Sequence, residues 1–119
     1  MNESTEIARA SARFVRMSPQ KGRLVADLIR RRYVGEALTI LRYSDKKKIS
    51  AVLEKVLRSA IANAQQKTPN VDVDTLYIAK IQVTGGPTAK RIRPAPQGRA
   101  YRVIKRTSHV QIHLEEKGR

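Results

Sequence analysis

Hydrophobic and polar positions change their period twice along this chain. From Ile7 to Met17 they alternate, with Ala8, Ala10, Ala12 and Phe14 on one parity and Arg9, Ser11 and Arg13 on the other. That is the pattern of a strand buried on one face and basic on the other. It stops at Ser18-Pro19, where the hydroxyl can cap a helix and proline at its first position loses no hydrogen bond. Leu24, Val25, Leu28 and Ile29 predict the apolar stripe of this first helix, which Gly22 weakens, and Lys21 stands where a capping box would need Glu or Gln. Val34, Ala37, Leu38 and Leu41 follow i, i+3, i+4, i+7 and predict a second helix to about Tyr43. Asp45 is placed to cap a third, in which Ile49, Val52, Leu53, Val56, Leu57, Ala60, Ile61 and Ala64 hold one face. At ~1.5 Å per residue this helix spans about 33 Å from Lys46 to Lys67 and ends at Thr68-Pro69-Asn70.

Beyond Val71 the period returns to two. Tyr77, Ala79, Ile81 and Val83 alternate with Ile78, Lys80, Gln82 and Thr84, and Val110, Ile112 and Leu114 alternate with His109, Gln111 and His113. These predict two strands of one sheet. Between them Tyr101, Val103 and Ile104 break the parity, as in a strand that twists or bulges on leaving the sheet. The expected fold is α+β: three helices packed on a small antiparallel sheet, with a long protruding basic β-hairpin. A length of 119 residues suits a single domain over 1–119, the hairpin occupying about 78–106.

Composition then names the class of partner. Against 25 Lys plus Arg stand 10 Asp plus Glu, a net charge of +15. Charge spread along a small chain calls for a polyanion, whereas an acidic small molecule needs only a few converging cations, and an anionic membrane is the weaker competitor. Residues 75–114 hold eight basic side chains and no acidic one. The absence of Cys excludes disulfides, thiolate zinc sites and cysteine nucleophiles. No apolar run approaches the ~18 residues of a membrane span, and Met1–Ala10 lacks a secretory h-region, so a cytosolic or organelle-matrix location is expected.

The connection from Gly85 to Gly98 far exceeds an ordinary hairpin loop of about 2–5 residues. Around it lie Lys80, Lys90, Arg91, Arg93, Arg99, Arg102, Lys105 and Arg106, with no carboxylate between Thr75 and Leu114. Arms of about 13 residues at ~3.3 Å each reach some 40 Å, beyond any core this chain can build, so they project. A two-stranded ribbon is marginal alone in water and needs a partner outside itself; the plainer alternative is a disordered basic loop. Pro87, Pro94 and Pro96 stiffen it. With Arg9, Arg13, Arg16, Lys21 and Arg23 on the body, these basic residues are the candidate nucleic-acid contacts, and Tyr101, between Arg99 and Arg102, is the candidate for stacking on unpaired bases. Tyr43 and Tyr77 fit a core as well as a base. The runs Arg30-Arg31-Arg32 and Lys46-Lys47-Lys48 fit a solvated face as well as phosphate contact. His109 and His113, ~13 Å apart along a strand, cannot share an ion, so neither metal nor cofactor is expected. Asp27, Glu36 and Glu54 lie beside Arg or Lys in helical patterns, which favours surface ion pairs over acid–base chemistry. No catalytic triad, phosphate loop or carboxylate dyad stands out, and no enzyme is expected.

Ser18-Pro19 with Lys21, Arg23 to Arg30, Ile40-Leu41-Arg42-Tyr43, Ser59 to Ala64, Gly86-Pro87, Lys90-Arg91-Ile92 with Pro94, Gly98-Arg99-Ala100 and Lys105 to His109 together resemble the bacterial ribosomal protein L twenty-two family, in the family's order and near its spacing. The resemblance implies a small body on large-subunit ribosomal RNA near the exit of the peptide tunnel. It implies a hairpin lining that tunnel, with Ala89, Lys90 and Arg91 at its tip, near ribosomal protein L four and the nascent peptide, in cytoplasmic ribosomes. The chain departs from the family pattern at Thr84-Gly85, Ala95 and Gln97, and carries Gly22 and Arg31 where the family usually has Val and Gly. The alternative class is a DNA-bending architectural protein with basic β-arms. Such proteins are dimers, whereas this chain is expected to be a monomer when free.

Overall fold

The computed structural model describes residues 6–94 and 100–116. In chain order the elements are β1 (Glu6–Val15), α1 (Pro19–Ile29), α2 (Val34–Arg42), α3 (Lys47–Lys67), a 3-10 turn (Val73–Thr75), β2 (Leu76–Gly85), β3 (Ala89–Pro94), β4 (Ala100–Lys105) and β5 (Ser108–Glu116). β5 is the centre of a three-stranded antiparallel sheet, β1-β5-β2, while β3 and β4 form a separate two-stranded ribbon. The three helices cover one face of the sheet. α3 lies over β1 and β5 with Leu53, Val56, Leu57, Ala60 and Ala64 buried, α1 lies over β2, and α2 closes the core against α3 with Ala37 and Leu41. From β5 the buried contribution is Ser108, Val110, Ile112 and Leu114.

Ser18 caps α1 as its sequence predicts, accepting from the Lys21 N–H at 3.3 Å. Four features differ from the sequence pattern, each for a local reason. Phe14 is exposed rather than inward, because a register irregularity between Ala12 and Val15 and a left-handed φ of 58° at Phe14 turn the end of β1 over. In β2 the register shifts between Ile78 and Lys80, so Leu76 and Ile78 are buried before it, Ile81 and Val83 after it, and Tyr77 and Ala79 are not in the core. The bulge therefore lies in β2, while β4 leaves the sheet as a regular partner of β3. α1 buries Gly22, Val25, Ala26 and Ile29, leaving Leu24 and Leu28 exposed. Gly22 sets that rotation: a Cβ there would lie 2.9 Å from Met17 Cε and 3.0 Å from Val83 Cγ1, so its absence lets the helix approach the sheet. Finally, Asp45 does not cap α3; Lys46 is the N-cap residue, without a side-chain cap bond, and its N–H donates to Ser44 Oγ at 3.2 Å.

The ribbon leaves the body through a narrow neck. The Gly86 N–H donates to Thr107 O at 2.9 Å and the Thr107 hydroxyl donates to Pro87 O at 2.6 Å. A Cβ at Gly86 would meet Thr107 Oγ1 at 2.7 Å. The molecule is consequently long, 65 × 28 × 24 Å with a radius of gyration of 17.4 Å, against ~13.5 Å for a compact domain of this length.

Candidate nucleic-acid interface

Both edges of the sheet make hydrogen bonds to the helical layer and its loops, which narrows what is left for a partner. On β2, the Arg23 Nε donates to Val83 O at 2.9 Å and the Arg30 Nη1 donates to Ile81 O at 2.8 Å. The Ile78 N–H donates to Arg32 O at 3.0 Å. On β1, Asn63 Nδ2 donates to Arg9 O at 2.9 Å. These bonds satisfy edge groups that would otherwise recruit another strand.

The sheet face opposite the helices is polar. Register aligns Arg9 of β1, His113 of β5 and Lys80 of β2 in one row, and Ser11, Gln111 and Gln82 in the next. Thr84 pairs with His109 in a third row, and Arg13 joins them at a shallow hollow lined also by Ser11, Gln82, Gln111 and Val110. The face thus combines cations with neutral donors and acceptors, suited to phosphates and base edges. Its carboxylates lie at one end, in the row holding Glu115.

Of the sequence-predicted contacts, the structure brings Arg9, Arg13 and Lys80 to this face. Arg16 stands elsewhere, beside Lys48 at a cleft with Val15, Met17, Ile49 and Val52. Arg23 and Arg106 converge on a cleft at the start of α1 with Ser18, Pro19 and Gln20, and Lys21 is exposed on the same first turn. Arg23 already uses its Nε inside the fold. Asp27, Glu36 and Glu54 pair with Arg30, Arg32 and Arg58 at 3.2, 3.5 and 3.2 Å, the surface pairs their spacing predicts. Tyr43 is 75% exposed, so it is not core, whereas Tyr77 meets Tyr33 edge to face at 5.4 Å.

Along the ribbon the register is Ala89–Lys105, Lys90–Ile104, Arg91–Val103, Ile92–Arg102, Arg93–Tyr101 and Pro94–Ala100. The first five pairs each set one basic residue against one uncharged residue, so no two cations oppose each other across the strands. The same register corrects the expected tip. Ala89, Lys90 and Arg91 pair with the residues next to the neck and so lie at the body end of the ribbon, while Pro94 and Ala100 mark its far end. Arg99, expected among the contacts, lies outside the described residues.

The residue that sequence reasoning missed is Phe14, which its alternation pattern assigns to the core. It is 61% exposed, its ring meets His109 edge to face at 4.9 Å, and its N–H donates to His109 Nδ1 at 3.1 Å. Among the described residues no group of three His, Cys, Asp or Glu is arranged to hold a metal, and no helix is long and apolar enough to cross a membrane.

Comparison with known proteins agrees with the resemblance. Residues 10–115 match the family described as Ribosomal protein L22p/L17e. Large ribosomal subunit protein uL22 of Solibacter usitatus is 53% identical over 109 residues, covering 92% of this chain and 96% of the relative. The protein of the same name from Clostridium novyi is 52% identical over 110 residues, 92% of this chain and 97% of the relative. That from Caldicellulosiruptor saccharolyticus is 50% identical over 119 residues, 98% and 96% of the two chains. With a helix-backed sheet, a basic ribbon and a family match over nearly its whole length, the chain belongs to the ribosomal protein L22p/L17e family, whose members are structural components of the large ribosomal subunit rather than enzymes.

Proposed function

We propose that this chain binds large-subunit ribosomal RNA, anchoring its body through Arg9, Arg13, Arg16, Lys21, Arg23, Lys80 and Arg106. Its ribbon then runs along the wall of the nascent-peptide tunnel towards ribosomal protein L four. The observation that carries this reading is the ribbon register, in which Arg91, Arg93 and Lys105 share one parity and Lys90 and Arg102 the other. Successive strand positions face opposite sides, so this order asks for anions along both faces, a demand met by threading through RNA rather than lying on it. The DNA-bending alternative lacks such support, since the family and its relatives are ribosomal.

A photo-reactive amino acid at Ile92, placed in the full chain within assembled ribosomes carrying a stalled nascent peptide, tests this reading. Cross-links to ribosomal RNA and to the nascent peptide are expected. Cross-links to neither, with the protein present in the subunit, would refute the tunnel placement.

A further inference from the structure

Phe14 stands apart from every other apolar side chain of β1. Its backbone sits in the left-handed region at φ 58°, a conformation that costs a non-glycine residue free energy and persists only where surrounding bonds enforce it. Here the enforcing bonds are identifiable: the Phe14 N–H on His109 Nδ1 at 3.1 Å, and the buried Ser108 hydroxyl donating to Met17 O at 2.8 Å. The result is a large apolar ring held 61% in solvent by the backbone, steadied at one edge by the His109 ring. A ring needed for packing would be turned inward, as Val110 of β5 is.

The surroundings specify what such a ring is for. His109, which meets Phe14, also lines the hollow on the sheet face with Arg13, Thr84, Gln82 and Gln111. Gln82 and Gln111 are direct cross-strand partners, so two side-chain amides, each with donors and an acceptor, line the same hollow as His109. An aromatic face, neighbouring amides that match base edges and an arginine for phosphate together fit one unpaired nucleotide turned out of an RNA helix. A protein neighbour would ask for an extended apolar patch, whereas the hollow that His109 shares is lined, Val110 apart, by polar side chains.

Resting on the RNA-binding reading above, we infer that Phe14, braced edge to face by His109, is a stacking platform for a single unpaired base of the bound ribosomal RNA, with Gln82 and Gln111 at the base edge and Arg13 at its phosphate. Stacking is sequence-tolerant and carries no charge, whereas each phosphate contact contributes to the salt dependence.

The test measures binding of the full chain to a large-subunit ribosomal RNA transcript across a salt series, for wild type, Phe14→Ala, Phe14→Leu, Phe14→Tyr and Arg13→Gln. Phe14→Ala is expected to weaken binding about tenfold at every salt concentration with the slope of log K against log salt unchanged. Phe14→Leu should behave like Phe14→Ala, and Phe14→Tyr should restore binding. Arg13→Gln should flatten the slope by about 0.7–0.9. Chemical probing should show one base protected by wild type and Phe14→Tyr but exposed with Phe14→Ala. Thermal melts establish that each variant is folded, and should Phe14→Ala not fold, the Leu–Tyr contrast decides alone. Wild-type protein that fails to bind the transcript would defeat the RNA-binding reading itself. Wild-type binding with equal affinity for the Leu and Tyr variants would defeat only the platform. Unchanged RNA affinity with reduced occupancy in subunits would assign the ring to a protein neighbour, and would equally overturn the platform.

Discussion

Arg31 has a φ of 60°, immediately after the Arg30 C-cap of α1, a conformation that a side chain with a Cβ adopts at a cost of roughly 1 kcal/mol. Glycine, lacking a Cβ, would adopt this conformation without that cost. Arg31→Gly is expected to stabilise the free protein by at most ~0.5 kcal/mol, after allowing for the entropy glycine adds to the unfolded chain, read as a rise of about two degrees in Tm. Ser50 is a second local misfit. It is 2% exposed within the first turns of α3, and its hydroxyl has no hydrogen-bond partner. Ser50→Ala removes a buried unsatisfied group and improves helix propensity, so an increase of about 1 kcal/mol is expected from the urea midpoint at unchanged m-value. The sequence marked Arg31 only as a departure and did not mark Ser50 at all, because neither φ nor hydrogen-bond satisfaction can be read from residue order.

At the scale of elements, the edge of β2 depends on α1. Arg30 bridges the Ile81 carbonyl, at 2.8 Å, and the Asp27 carboxylate, at 3.2 Å. Arg30→Ala leaves an edge carbonyl without its charged donor and is expected to cost ~1 kcal/mol, discounted for the partial exposure of the site. Arg30→Lys should recover only part of this, since one ammonium on a flexible stem does not reproduce the planar fork. Amide exchange along β2 should quicken in the Ala variant. What was legible here was the periodicity: α3 holds its predicted face, and β5 keeps strict alternation because, as the central strand, it is fixed by partners on both sides. The failures fall where the two edge strands bulge, at Phe14 and at Ala79, and where Gly22 lets a helix turn a different face inward. A one-residue insertion inverts every later side chain of a strand, and nothing in a short alternating pattern announces it. The basic contacts were legible as charge. Which of them the fold itself employs, as it does Arg23 and Arg30, was not.

Among the described residues, the molecule divides into a body whose sheet edges are bonded in part by its helical layer and a ribbon whose two strands pair with each other. Such a ribbon takes its order from a partner, and its length beyond the body serves reach rather than anchorage. Replacing residues 95–99 by an Asn-Gly turn joining Pro94 to Ala100 is therefore expected to leave incorporation into large subunits intact while altering tunnel-dependent pausing of nascent chains. Occupancy in salt-washed subunits and pausing assays check the two halves of that statement. The central claim is that the ribbon's charge is spent on RNA phosphates. Its most direct test is the slope of log K against log salt for the full chain on large-subunit ribosomal RNA, compared with a variant carrying Gln at Lys90, Arg91, Arg93, Arg102 and Lys105. At ~0.7–0.9 per phosphate contact, the slope is predicted to flatten by about 3.5–4.5 in the variant. An unchanged slope would mean that these five cations meet no phosphate, and would contradict the account.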